Sequence, residues 1–208
     1  MRIVILGAGG RVGQNMLLQA IDNGHEVVGF VRSPDAVLLR NPLLRLEVGD
    51  ALNLADITRV LAGADVVISA LGSRVLDKPI TLMSAAMAHI LVAMQAQGVR
   101  RVLAIGGAGI LQADAQQLRR ALPSFPPMLQ HVTDDHWRVY EQLHQSAMDW
   151  TLVCPPMMPS DARTETYRVQ ADYLPDGATR VSAADCAHFV LQEAVANQFL
   201  CKRVGIGY

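Results

Sequence analysis

The run Arg2-Ile3-Val4-Ile5-Leu6 leads without a break into Gly7-Ala8-Gly9-Gly10-Arg11-Val12-Gly13, and no other stretch of the 208 residues restricts the fold so strongly. The first part reads as a buried strand. Glycines at 7, 10 and 13 let the following turn take positive φ and bring backbone N–H groups close to an anion, and Gly7, Gly9 and Gly10 partly match the alternative glycine spacing. A helix beginning inside the turn points its positive dipole end at the same place. Val12, Met16, Leu17, Ala20 and Ile21 recur at helical spacing, Asn23-Gly24 stops that helix, and Glu26-Val27-Val28-Gly29-Phe30-Val31 reads as a second strand. Strand, glycine turn, helix and strand within about thirty residues form a βαβ unit whose turn suits a dinucleotide pyrophosphate.

The end of the second strand bears on which dinucleotide is bound. An Asp or Glu there accepts from a ribose 2′-hydroxyl and repels a 2′-phosphate. This chain has Arg32-Ser33 instead. A guanidinium holds a phosphate through charge-assisted bonds worth about 1.5–3 kcal/mol each, so NADP(H) is expected in preference to NAD(H). Asp35 lies close enough to blunt that preference, and a solvated loop charge is the alternative reading of Arg32.

Strands and helices go on alternating. Arg45–Asp50, Ala64–Gly72, Arg101–Gly109 and Asp149–Cys154 read as further strands. Asn53 with Asp56 caps a helix carrying Ile57, Val60 and Leu61, and a longer helix carries Ile80, Met83, Met87, Ile90, Leu91 and Met94. Thr133-Asp134-Asp135 reads as the cap and first turn of a helix that places His136, Tyr140, Leu143, His144 and Ala147 on one side. Ser182 and Asp185 form a capping box for a last helix with Cys186, Phe189, Val190 and Ala194. With 51% hydrophobic but only 5% aromatic residues, the chain is aliphatic-rich, as parallel strands covered on both faces require. The expected architecture is α/β: a single Rossmann-like, doubly wound parallel sheet with helices on both faces, forming one domain over residues 1–208. Residues 112–130, with Pro123, Pro126 and Pro127, read as a flap over the site, and residues 155–181 as a small substrate lobe that is irregular from 157 onward. Ligands of open parallel sheets sit beyond the carboxyl ends of the strands, which places Gly72, Gly106 and Gly107 beside the dinucleotide.

Several classes drop out. The net charge of −1 with no cluster of Lys and Arg gives no expectation of a nucleic-acid or membrane-surface partner. No apolar stretch has the length of a membrane span. Cys154, Cys186 and Cys201 are widely spaced in apolar sequence and read as reduced, small buried hydrophobes of a cytoplasmic protein. His131, His136 and His144 lack a zinc spacing, so no metal is expected.

The order of these motifs resembles the NmrA-like, NAD(P)H-binding group of atypical short-chain dehydrogenases, and within it the flavin reductase (biliverdin reductase B) family. The resemblance runs nearly end to end. It is carried by the glycine turn, Val31-Arg32, Val48-Gly49-Asp50, Leu71-Gly72-Ser73, Pro155-Pro156 and most specifically Val132-Thr133-Asp134-Asp135-His136. It implies NADPH-dependent hydride transfer to flavins or open-chain tetrapyrroles, without the Ser, Tyr and Lys set of typical short-chain dehydrogenases. Carried over, it places cofactor contacts at Gly7, Ala8, Gly9, Gly10, Arg11, Val12, Gly13, Arg32, Ser33, Asp50, Ala51, Leu71, Gly72, Ser73, Gly106, Gly107, Pro155 and Met157. The family's Ser after the fifth strand and His after the Pro-Pro pair are replaced here by Gly107 and Met157.

Hydride transfer to a flavin or quinone needs little acid–base help, whereas a ketone's developing alkoxide wants a hydroxyl donor. His136 is the first candidate catalytic residue, with a structural role as the alternative. Tyr140 is the second, since Tyr140 and His144 reproduce the Tyr-to-Lys spacing of typical short-chain dehydrogenases with His in place of Lys. The leading expectation is an NADPH-dependent reductase of a small flat acceptor. Its rivals are a non-catalytic NADP-binding redox sensor of NmrA type acting through a protein partner, and a reductase or epimerase using Tyr140.

Overall fold

The computed structural model describes all 208 residues. Eight strands form one sheet: β1 (Arg2–Leu6), β2 (Glu26–Val31), β3 (Leu44–Val48), β4 (Val66–Ser69), β5 (Arg101–Ile105), β6 (Asp149–Cys154), β7 (Arg168–Ala171) and β8 (Lys202–Gly207). Five helices connect them: α1 (Arg11–Asp22), α2 (Leu54–Val60), α3 (Leu82–Gln97), α4 (Gln130–Gln145) and α5 (Ala183–Ala196). The strand order is β3-β2-β1-β4-β5-β6-β8-β7, with every pairing parallel except that of β7 with β8. The order reverses between β1 and β4, so their carboxyl ends diverge into the crevice where open α/β sheets take ligands.

The aliphatic composition is spent on two cores. On one face Ile3, Ile5, Val66 and Ile68 pack with Met16, Leu17 and Ala20 of α1 and with Cys186, Ala187 and Val190 of α5. On the other, Val4, Leu6, Val67 and Val102 pack against Ile57 of α2, Met83, Met87, Ile90 and Met94 of α3, and Val139 and Leu143 of α4. The Met-rich stripe of α3 is therefore core. Strands buried on both faces explain why their sequences read as continuous apolar runs.

The structure departs from the sequence reading at several places. The third, fourth and fifth strands are shorter than their apolar sequences, ending at Val48, Ser69 and Ile105, because the residues beyond leave the ladder as loops at the carboxyl edge. Residues 168–171 of the expected irregular lobe form β7, which joins the main sheet beside β8, a strand with no counterpart in the sequence reading. Cys154 and Cys186 are buried, and desolvation pushes both thiols up, that of Cys186 to about 12. Cys201 is exposed instead, in a left-handed turn (φ 56°) immediately before β8.

Helix caps show the largest correction. α4 begins at Gln130, after a turn of 3-10 helix at Pro127–Leu129, so Thr133, Asp134 and Asp135 lie inside it rather than at its start. Ala147 lies beyond its last turn. Asp135 caps a different helix: its fully buried carboxylate accepts from the backbone N–H groups of Met83 (2.9 Å) and Ser84 (3.3 Å) at the start of α3, and from the Ser84 hydroxyl. Arg138, one turn along α4, adds a bond to the same carboxylate at 3.2 Å and another to the Ile80 carbonyl. The cap at α2 is as expected, with Asn53 Oδ1 accepting from Ala55 and Asp56. At α5 only half of the capping box forms: Ser182 Oγ accepts from the Asp185 amide, while the Ser182 amide is satisfied by the Tyr208 hydroxyl and the Asp185 carboxylate turns to Thr164 and Glu165.

Because Asp135 joins two helices through charge-assisted bonds that have no solvent substitute, Asp135→Ala is expected to lower unfolding free energy by about 3 kcal/mol. Urea denaturation measures it, and a loss below about 1 kcal/mol would mean that α3 is capped by other means.

Candidate dinucleotide and acceptor site

At the end of β1 the chain turns sharply. Gly7 sits at φ 79°, where a side chain would be strained and its Cβ would come within 2.7 Å of the Ala70 carbonyl oxygen at the end of β4. Gly10 N–H closes the turn onto the Gly7 carbonyl at 3.0 Å. A Cβ on Gly13 would fall 2.3 Å from that same oxygen, so only glycine lets α1 start so close to the strand it leaves. Gln14 pins the turn from outside, its Nε2 donating to the carbonyls of Gly9 and Ala36 at 3.1 Å each.

The result is an anion cradle. Gly10 caps α1 with no side-chain bond, the first turn of the helix holds no acid, and the amides of Arg11, Val12 and Gly13 find no acceptor within the protein. Such donors at a helix start favour an anion, and the cradle fits a pyrophosphate. Arg32 and Ser33 lie exposed just past β2, and the Arg32 guanidinium makes neither an ion pair nor a hydrogen bond. Past β3, Asp50 Oδ1 accepts from the Leu52 amide, and Ala51 is buried. Leu71, Gly72 and Ser73 follow β4, Gly72 in open space and the Ser73 hydroxyl turned back on the Val75 amide. Gly106 and Gly107 follow β5, held to the β6 loop by the Ala108 amide on the Pro155 carbonyl (3.0 Å). Met157, two residues beyond Pro155, is 66% exposed. All the candidate cofactor-binding residues thus lie in loops, or in the first turn of α1, at one edge of the sheet.

The two candidate catalytic residues separate along α4. His136 lies against Gly107: a Cβ there would be 3.0 Å from Nδ1 of the imidazole, so a side chain at 107 would need the ring to give by a few tenths of an ångström. Burial lowers its pKa to about 4 against the opposing pull of Asp135, leaving the ring neutral near pH 7. Tyr140 sits one turn further along. Its ring packs on Trp137 (5.0 Å), His144 (5.5 Å) and Trp150 (6.0 Å), with the Arg203 guanidinium 4.7 Å above it. Trp150 is the second residue of β6, while Arg203 pairs with Leu152 in mid-strand and its Nη1 donates to the Ile110 carbonyl just past β5, so Tyr140 is held in its own aromatic and cationic packing site one turn from His136. The Tyr140–His144 spacing yields a stacked aromatic pair.

Other participants were not legible beforehand. Arg120 fixes the segment before α4 by an ion pair to Asp134 (3.1 Å) and by lying 4.8 Å over the Trp137 ring, while Phe125 and Thr133 close around Gly109. Each residue of the string Asp134-Asp135-His136 therefore faces a different neighbour: flap, α3 and Gly107. Among His, Cys, Asp and Glu side chains no group of three could hold a metal, and no helix is long and apolar enough to cross a membrane.

Comparison with known proteins agrees with this geometry. Residues 7–197 match the model of a family described as NAD(P)H-binding. The chain belongs to that NAD(P)H-binding family. It is 28% identical to the uncharacterized protein YwnB of Bacillus subtilis over 201 residues, 93% of this chain and 92% of the relative. Among solved structures, a protein of Bacteroides thetaiotaomicron named as a candidate epimerase superposes with a TM-score of 0.87 at 28% identity, covering 100% of this chain and 96% of that one. A protein of Streptococcus pneumoniae named as a candidate NADH-flavin reductase superposes with a TM-score of 0.85 at 23% identity, covering 100% and 99%, and shares the fold.

The lowered His136 pKa has a pH signature. Between about 4 and the unfolded value of 6.5 the unfolded chain binds a proton that the folded chain refuses, so stability rises with pH across that window and is lost as pH falls through it. His136→Asn is expected to flatten this part of the profile, measured as denaturation midpoint against pH. An unchanged slope would place the ring in a solvated setting.

Proposed function

We propose that the protein is an NADPH-dependent oxidoreductase that delivers hydride to flavins, quinones or similar flat conjugated acceptors, and that its finer place is in the NmrA-like group beside the flavin reductases. The observation that carries this reading is the pairing of Gly107 with a neutral His136, with an exposed thioether at Met157 beyond Pro155. No Ser or Tyr hydroxyl is offered there to a developing alkoxide, which argues against ketone reduction. A conjugated acceptor spreads its new charge over a ring system and chiefly needs proximity and a dry face. Reduced nicotinamide, when bound, supplies the hydride.

The chain's own groups do the rest. The cradle amides of Arg11, Val12 and Gly13 hold the pyrophosphate, Arg32 takes the 2′-phosphate, and Gly107, lacking a side chain, lets the His136 ring stand at the wall of the site. The neutral imidazole of His136 has one N–H to donate to a ring heteroatom of the acceptor, and the proton that completes the reduction comes from solvent. The same lack of hydroxyl groups favours a second reading, a sensor that binds NADP without turnover and signals through a protein partner.

Absorbance of NADPH followed with FMN, riboflavin, quinones and dyes distinguishes the two. Turnover with at least one acceptor, retained through purification, is expected; tight binding without oxidation by any of them would leave the sensor. The unpaired Arg32 gives a separate expectation for the coenzyme. Arg32→Ala should weaken NADPH binding by roughly tenfold or more while NADH binding changes little, and equal losses in calorimetry would refute the choice of NADP.

A further inference from the structure

Arg11 occupies the first position of α1, the worst place on a helix for a cation, since the dipole and the free amides already make that end positive. Its side chain does not turn to an acid. Nη1 donates to the carbonyl oxygen of Met158 at 2.8 Å, linking residues 147 apart in sequence. β1 and β6 are three strand spacings apart, roughly 14 Å, so this bond spans the crevice from the glycine turn to the loop that carries Met157.

Met158 is the second residue of a strap, residues 157–167, which is tied mainly at its ends and, midway, by Arg163 Nη1 donating to Gln19 Oε1 of α1 at 3.4 Å. At its near end Met157 and Pro159 carbonyls accept from Val181 and Ala183. At its far end the Asp185 carboxylate accepts from the Thr164 amide (2.9 Å) and hydroxyl (2.8 Å) and from the Glu165 amide (2.8 Å). Residues 160–163 between them are exposed and are held by surface pairs such as Asp161 with Arg180 at 3.7 Å. Arg11 is the one cationic side chain that joins this strap to the cradle.

We propose that Arg11 is a positioning residue that couples occupancy of the cradle to the order of the strap, so that the dinucleotide is bound before the acceptor wall is fixed. The inference rests on the dinucleotide reading given above. A guanidinium has five N–H donors, of which one is used on Met158, and the remaining donors are free to meet an anion at the start of α1. A doubly charged pyrophosphate neutralises the repulsion between Arg11 and the helix end, and charge-assisted bonds to it fix the guanidinium in the rotamer that also holds Met158. Lysine cannot do both, because its single ammonium lacks the planar fork that faces two acceptors in fixed directions.

Hydrogen exchange of the 157–167 amides tests the coupling, with calorimetry run in parallel on the intact protein. In the wild type, saturating NADP⁺ is expected to slow exchange across the strap several-fold. In Arg11→Met, NADP⁺ should bind roughly tenfold more weakly and, even at saturation, leave strap exchange unchanged. Arg11→Lys should recover most of the affinity but not the protection. Strap protection in saturated Arg11→Met equal to that of the wild type would overturn the coupling, as would a wild-type strap indifferent to bound NADP⁺. Absence of any calorimetric signal for either nicotinamide coenzyme in the wild type would instead bring down the dinucleotide reading, and the coupling with it.

Discussion

The contact between Gly13 and the Gly7 carbonyl sets the geometry on which the rest depends. With no Cβ at position 13 the first helix begins almost on top of the strand that precedes it, and its unpaired amides then open into the crevice between β1 and β4. A side chain there would push α1 outward, and α1 contributes Val12, Met16, Leu17, Ala20 and Ile21 to the core it shares with α5. Backbone geometry at one turn thus governs both an anion site and the seating of a helix pair.

From that turn outward the site is assembled by contacts between distant parts of the chain. Gln14 joins the turn to the β2–β3 connection, Ala108 and Pro155 join the loops after β5 and β6, and Asp135 ties the helix bearing His136 to the start of α3. Of these the buried Asp135 tie is the strongest. Together they hold the loops after β1, β4, β5 and β6 in register around one crevice, which is what pre-organisation requires of a site that supplies little chemistry of its own.

Local signals carried most of the architecture. The glycine turn, the helical spacing in α1 and the aliphatic strands each state their structure within a few residues, which is why β1, β2, β6 and the caps of α2 and α5 were legible. Where a residue's partner lies far away, sequence misled. Asp135 looks like a first-turn acid of its own helix because Thr133 precedes it, yet its partners are 51 and 52 residues back. β7 and β8 were invisible because one is four residues long and the other is broken by Gly205 and Gly207, so neither shows a strand period; their stability comes from pairing with each other and with β6. In the site, the glycine turn that shapes the cradle was readable from spacing, while the descent of Tyr140 into an aromatic stack depended on Trp150 and Arg203, which nothing in the helix sequence announces.

The imidazole at position 136 stands directly against the bare backbone at position 107. A serine introduced there would meet the ring at short contact distance, so the imidazole would have to give by a few tenths of an ångström to admit it. Regaining a hydroxyl at this wall of the site is therefore a matter of tilting one ring rather than of moving a helix. Glycine and serine at this position are thus reachable from one another with the histidine kept in place.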